Sequence, residues 1–323
     1  MTANEPRRHH VGVSAFYLAG FGDPTAGGKL RVFDYKTGNH FEGPPKKICR
    51  ENDFYRVEEP GVDPNLLEKI RADHEDLVAP YVKQVGTGTI TNPGKEIGET
   101  LSYAALLAAS NRRGLAQVAN AIRNSIGAKL RAGQVQREQW EGLRAAEIRN
   151  GAAGDQWPPY DEALRGIRDR SWFPAEPKVP ALISFPYAQD ALLKMLQGRQ
   201  WELHVTDSTT TGGFICSDSP LMWGDLEQAV AGRQQSLADH NIEITFPVSR
   251  NVALVSFPGA RSSTVTAEDE QIGHINMRTL QFATRMIIHA HENFLLRRRS
   301  GSVEHGSDYF RHVAESRARG IPD

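Results

Sequence analysis

Apolar residues in this chain change their spacing three times, and those changes restrict the fold to very few classes. Near the N-terminus, KLRVFDYKTGNHFEG alternates apolar and polar residues through Leu30, Val32 and Phe33, turns at Thr37-Gly38-Asn39 and resumes at His40-Phe41. That is the period of a pleated strand returning through a hairpin. From Asp63 the spacing becomes helical. Asp63 suits a cap and Pro64 the first helical position, and Leu67, Ile70, His74, Leu77, Val78, Tyr81 and Val85 recur on one face, with a bend expected at Pro80. An Ala-rich helix follows, with Leu101, Ala105, Ala108 and Leu115 on one side and an interruption at Gly114. Residues 134–180 read as a more polar, exposed section of helix, loop and helix. After Phe185-Pro186, the residues Ala188, Leu192, Met195 and Leu196 mark a further helix that Gly198 ends.

Past Trp201 the period of two returns. Leu203-His204-Val205 and Phe214-Ile215-Cys216 read as the two strands of one hairpin, and IEITFPVSRNVALVSFP as a second that turns at Ser249-Arg250-Asn251. Ile272, Ile275, Leu280, Ala283 and Ile287 then form a helical face reaching the end of IIHAH, and a charged tail, 297–323, closes the chain. A short buried helix is expected within VSAFYLAGF. The class is therefore α+β: a mostly helical single domain over 1–323, with an antiparallel sheet built from hairpins at both ends of the chain.

Charge and cysteine usage narrow the function. Thirty-eight Lys and Arg stand against 39 Asp and Glu, a net charge of −1, which leaves no long-range field to hold a polyanion or an anionic membrane. Any nucleic-acid contact has to be local. Trp140, Trp157, Tyr160 and Trp172 lie among arginines, but Glu138, Glu141, Glu147, Asp161 and Glu162 dilute that weak signal. Cys49 and Cys216 make neither a disulfide framework nor a zinc knuckle, and neither a secretory leader nor a membrane span is visible. A cytoplasmic location with no membrane partner is the expectation.

The common catalytic signatures GxxxxGK[ST], GxGxxG after a strand, HExxH, GxSxG and paired CxxC are absent. Three stretches carry the reactive side chains instead. His9 and His10 in RRHH could move protons or bind a divalent metal, although adjacent side chains reach one ion only from an irregular segment; alternatively they belong to an N-terminal strap. Ser217-Asp218-Ser219-Pro220 follows an apolar strand. Asp218 could act as base or ligand and Ser217 or Ser219 could hold an anion, or the four residues form an Asx-type turn. Asn111-Arg112-Arg113 could clamp a phosphate or carboxylate, or the arginines neutralise a helix C-terminus and pair with Glu96 or Glu99. Glu68, His74 and Glu75 read as a helix flank and a core histidine, and His289 and His291 as partners of a helix C-terminus.

In their order, RRHH, AFYLAGF, LRVFDYKTG, NDFY, LLEKIRADHE, the Asn111-Arg112 break, WEL, FICSDSPL, ITFPVS and INMRTLQFATRMII resemble a bacterial family catalogued as domain of unknown function 4238. Members usually show Val-Pro before Phe-Tyr-Leu, where this chain has Ser14 in place of the proline and its His pair one residue further from Phe16. Thr-Pro often follows the Asn-Arg, where this chain has Arg113-Gly114. The resemblance carries no catalytic assignment. It directs attention to His9 or His10, Arg112 and Ser217-Asp218.

These residues suggest a hydrolase for a phosphate-containing substrate. His9 or His10 would be the base or metal ligand, Asp218 its carboxylate partner, Arg112 with Asn111 the charge stabiliser, and Ser217 and Ser219 anion contacts. The other reading is a non-catalytic sensor or interaction module, linked to defence or mobile elements, in which the same residues order loops.

Overall fold

The changes of period mark boundaries in the computed structural model, which describes residues 8–10, 12–224, 237, 239–298 and 300–318. The N-terminal part holds β1 (Arg8–His10), the short helix α1 (Ala15–Leu18), the hairpin of β2 (Leu30–Asp34) and β3 (Asn39–Gly43), and β4 (Arg50–Asn52). The middle is helical: α2 (Leu66–Gly86), α3 (Pro93–Ser110), α4 (Arg112–Arg131), α5 (Arg137–Arg149), α6 (Tyr160–Asp169) and α7 (Lys178–Gln197). Beyond it come β5 (Glu202–Val205), the single turn α8 (Ser208–Thr211), β6 (Cys216–Ser217), β7 (Met222–Trp223), β8 (Ile244–Ser249), β9 (Val252–Ser256) and β10 (Thr264–Thr266). The described chain closes with α9 (Asp269–Phe282), β11 (Met286–His289), β12 (Leu295–Arg297), β13 (Val303–His305) and α10 (Gly306–Ala318). The class is α+β. No described helix is long and apolar enough to cross a membrane.

Helix α3 is the hub. From Thr100 to Ser110 every residue is buried, and the small side chains of its Ala-rich run let α2 and α7 pack closely on either side. Helix α2 runs through Pro80 without ending, but its inward stripe differs from the one its spacing predicts: Leu67, Arg71, Val78, Val82 and Val85 are buried, while Ile70 and Leu77 face solvent. Arg71 takes a core position because its charge is met there. Glu75 lies 2.8 Å from its Nη2, and the guanidinium sits 5.3 Å from the centre of the Tyr55 ring.

Three boundaries move. The helix break falls after Ser110, not at Gly114, because Asn111 leaves helical geometry and caps α4. Helix α7 starts at Lys178 and passes through Pro186. Helix α9 stops at Phe282, so His289 ends a strand instead of a helix, and the expected charged tail folds into β12, β13 and α10 as far as Ala318.

The single sheet expected from both ends of the chain is two sheets, of order β10-β5-β9-β8-β7 and β3-β2-β11-β6, with two separate pairs, β1-β4 and β12-β13. The β2–β3 and β8–β9 hairpins form as read. The β5–β6 hairpin does not. Strand β5 is flanked by β9 and, in parallel, by β10, which leaves no free edge, so β6 joins β11 instead. Gly212 and Gly213, at φ +72° and +76°, turn the chain out of the first sheet; a Cβ there would lie 2.6 Å from the Phe294 nitrogen and 2.3 Å from the Arg250 oxygen. The polar section 134–180 has a small core of its own, formed by Leu130, Trp140, Trp157, Ala163 and Ile167. Trp140 and Trp157 are therefore core residues, not surface platforms.

Candidate functional site

Strand β1 pairs antiparallel with β4, setting His9 opposite Glu51 and His10 opposite Arg50. The His9 and His10 side chains lie outside the described residues, but their backbone is placed beside a polar cluster. After β1, Gly12 at φ +75° crosses between Asn111 and the SDSP loop; a Cβ on it would lie 2.9 Å from the Asn111 Cβ and 4.0 Å from the Asp218 carbonyl oxygen. The N-terminal strap, the start of α4 and the SDSP loop thus meet in space.

Where they meet is a pocket of about 30 Å³, lined by Cys49, Arg50, Glu51, Arg112, Asp218, Arg285 and Met286. That is room for about one water molecule. Arg112 opens α4 and ion-pairs with Glu51, both about half exposed, while its guanidinium stands 5.2 Å from the Phe54 ring centre. Its expected partners Glu96 and Glu99 are not used: Glu96 accepts from Gln84 and Thr91 at the start of α3. Nor does Arg112 close a helix. It begins one, because Asn111 is the N-cap and its Oδ1 accepts from the Gly114 amide at 2.8 Å. Arg113 is drawn inward, 4.3 Å from the Phe282 ring centre, and burial lowers its pKa against the opposing pull of Asp218.

Asp218 holds a turn. Its carboxylate accepts from the backbone amides of Thr284 at 2.9 Å, Arg285 at 3.2 Å and Met286 at 3.4 Å, and from the Thr284 hydroxyl. It organises the α9–β11 connection across the sheet, not its own loop as an Asx turn would. Arg285, carried by that connection, reaches Asp34 with Nε at 3.0 Å and Nη2 at 2.7 Å. Burial acts to raise the Asp34 pKa, but the Arg285 hydrogen bond and charge and the Lys36 amide outweigh it and hold the carboxyl below its usual range. Ser217 is buried and accepts from the Ser219 amide at 3.1 Å, whereas the buried Ser219 hydroxyl has no hydrogen-bond partner among the described residues.

The two thiols are not nucleophiles in this state. Burial pushes Cys49 well above its ordinary value, with Asp218 and Cys216 adding to the effect, and raises Cys216 to about 12. No group of three or more His, Cys, Asp or Glu side chains among the described residues is placed to hold a metal ion.

Arg50, Glu51 and Arg285 were not singled out in the sequence. Glu51 directly precedes Asn52 of NDFY, but what marks this strand is backbone geometry: Cys49 and Asp53, on either side of β4, sit at φ +53° and +55°. Non-glycine residues there carry strain of about 1–3 kcal/mol each, which persists only where the surroundings impose it. Neither angle can be read from side-chain pattern.

A family model described as Protein of unknown function (DUF4238) matches residues 8–293. The chain belongs to the DUF4238 family. The matched stretch takes in every wall of the DUF4238 pocket, from β1 through β4, α4 and the SDSP loop to β11, and leaves out β12, β13 and α10. No curated protein and no solved structure matches the chain.

Proposed function

We propose that this DUF4238 protein binds a phosphate-bearing substrate at the pocket between β4, α4 and β11 and hydrolyses it. The observation that carries the reading is the convergence of Arg50, Arg112 and Arg285 on one pocket that also contains Glu51. Planar guanidinium groups recognise phosphate oxygens in pairs and stabilise the charge that builds up during phosphoryl transfer. The pocket admits a phosphate once Arg112 exchanges Glu51 for it, and an exposed ion pair costs little to open, about 0–1 kcal/mol.

Glu51 is the carboxylate that such an exchange frees. With Arg112 engaged by substrate, it is placed to take a proton from the attacking water as the water oxygen bonds to phosphorus and the ester P–O bond breaks; His9 or His10 on the adjoining strand returns a proton to the leaving oxygen or, with Glu51, ligates a divalent metal. Asp218 is a positioning residue that holds the turn carrying Arg285. The buried, unpaired thiols fit a reducing, cytoplasmic setting. The alternative, a phosphate sensor without turnover, is favoured by one observation: Asn111, Ser217 and Asp218 use their polar atoms in cap and turn bonds.

Calorimetric titration with inorganic phosphate, combined with turnover of phosphate mono- and diester chromogens, tests both readings. Arg112→Ala is expected to weaken phosphate binding at least tenfold. Glu51→Gln is expected to keep binding and lose turnover by about 100-fold or more. Binding without turnover leaves the sensor, and binding unaffected by Arg112→Ala and Arg285→Ala removes both.

A further inference from the structure

At the other end of α4, Arg131 joins Arg168, Arg170, Ser171, Trp172 and Phe173 around an open groove of about 920 Å³. None of these three arginines makes an ion pair among the described residues, so the groove carries three arginine charges without a direct carboxylate contact, in a chain of net charge −1. The neighbouring carboxylate, Asp169, is turned onto Ser171, accepting from its hydroxyl at 2.6 Å and its amide at 3.0 Å.

The aromatic residues are held at the groove by two glycines. A Cβ on Gly127 of α4 would lie 2.6 Å from the Phe173 ring, and one on Gly166 of α6 would lie 2.7 Å from the Trp172 Cβ. Each glycine gives up about 1 kcal/mol of helix propensity, and each lets an aromatic residue lie close against its helix. Phe173 remains 38% exposed, with the Arg131 guanidinium 5.6 Å from its ring centre, and Trp172 stands edge-on to the buried Trp140 at 5.8 Å. Arg170 closes α6 in the left-handed region at φ +62°, a place that glycine usually takes.

We propose that this groove binds nucleoside phosphates, free or as part of a single strand, with a base stacked on Phe173 or Trp172 and phosphates on Arg131, Arg168 and Arg170. Guanidinium groups around an exposed Phe173 and a half-buried Trp172 supply the two interactions on which sequence-independent single-strand binding rests. A duplex keeps its bases stacked and offers these rings nothing. The groove stands apart from the phosphate pocket: Arg112 and Arg131 are the first and last residues of α4, about 28 Å apart at 1.5 Å per residue.

Fluorescence anisotropy with a labelled ten-nucleotide oligothymidylate reads the proposal directly. Three phosphate contacts give a log–log salt slope of about −2. Changing all three arginines to Glu is expected to weaken binding at least 100-fold and abolish the slope, while Phe173→Leu weakens binding about tenfold with the slope unchanged. Arg112→Ala leaves both intact, which separates this site from the pocket at β4. Competition by thymidine monophosphate as strong as by the unlabelled oligonucleotide assigns the groove to free nucleotides; much weaker competition assigns it to strands. The proposal falls if a triple variant with native circular dichroism and melting temperature still binds, if Arg112→Ala weakens binding, if a duplex of equal length competes equally, or if neither single strand nor nucleotide binds at low salt.

Discussion

His289 shows how far one side chain's surroundings can depart from its sequence context. Its ring lies between Phe294 and Phe310, with centroids at 5.2 and 5.5 Å, and its Nδ1 meets the His291 carbonyl at 3.1 Å. Burial drives its pKa down to about 3, against the carbonyl contact that acts to raise it. The folded value lies below the roughly 6.5 of an unfolded chain, so the unfolded state takes up the proton first as pH falls. The stability involved is complete above about pH 6.5 and is lost progressively toward pH 3, on the order of 4–5 kcal/mol. His289→Phe should flatten that part of the stability profile, measured by urea unfolding from pH 7 to pH 3. Asp218 makes the complementary case, a charged residue kept by its bonds. Asp218→Ala is expected to cost about 2–3 kcal/mol at pH 7 and Asp218→Asn less, because the amide oxygen still accepts from part of the turn; unchanged melting of Asp218→Ala would refute its positioning role.

The α3–α4 junction shows what a helix boundary depends on. The sequence places a stop near Gly114, because glycine is a common terminator, yet this glycine lies inside the first turn of α4. A Cβ on it would fall 1.8 Å from the Ala108 carbonyl oxygen, backbone that cannot move aside. Gly114→Ala should therefore destabilise by more than 3 kcal/mol, despite the roughly 1 kcal/mol that alanine returns in propensity. Asn111→Ala, which removes only the cap, should cost about 1 kcal/mol. Thermal unfolding of the two variants side by side checks the order. The arginines beside this break were legible as candidates from their composition. Glu51, the partner of Arg112, was not, because 61 residues separate the two and no local period links them.

Across the whole molecule, packing is unequal. Helix α3 is buried on nearly all sides between α2 and α7, whereas α5 and α6 rest on the small core around Trp140 and Trp157. Local stability follows buried apolar contact, so amides of α5 and α6 are expected to exchange with solvent through smaller openings than those of α3, as hydrogen–deuterium exchange would show; equal protection would mean that one cooperative unit spans both. The sheets record the same dependence on distant partners. Both strands, β5 and β6, were visible as short segments around a Thr- and Gly-rich turn, but their pairing was not, since β5 and β6 are close in sequence and still belong to different sheets.

What the sequence determines by itself is local. Pleat and helical turn impose periods of two and about 3.6, so the α2, α3 and α4 stretches, the β2–β3 and β8–β9 hairpins and the buried Tyr17-Leu18 segment can all be read from the order of apolar residues. Even the terminators are legible as residue types, if not always as positions. Tertiary structure alone decides which strand edges remain free, which helix face turns inward, and whether a charge such as Arg71 finds Glu75 and Tyr55 inside the core. It also decides that β1 lies on β4, bringing the backbone of Arg8–His10 beside Arg50, Glu51 and Asn52 and, through Gly12, the strap against Asn111 and Asp218. The reason is physical: a period is set by neighbours within a few residues, whereas a pocket is set by burial summed over segments that meet only after the chain has folded.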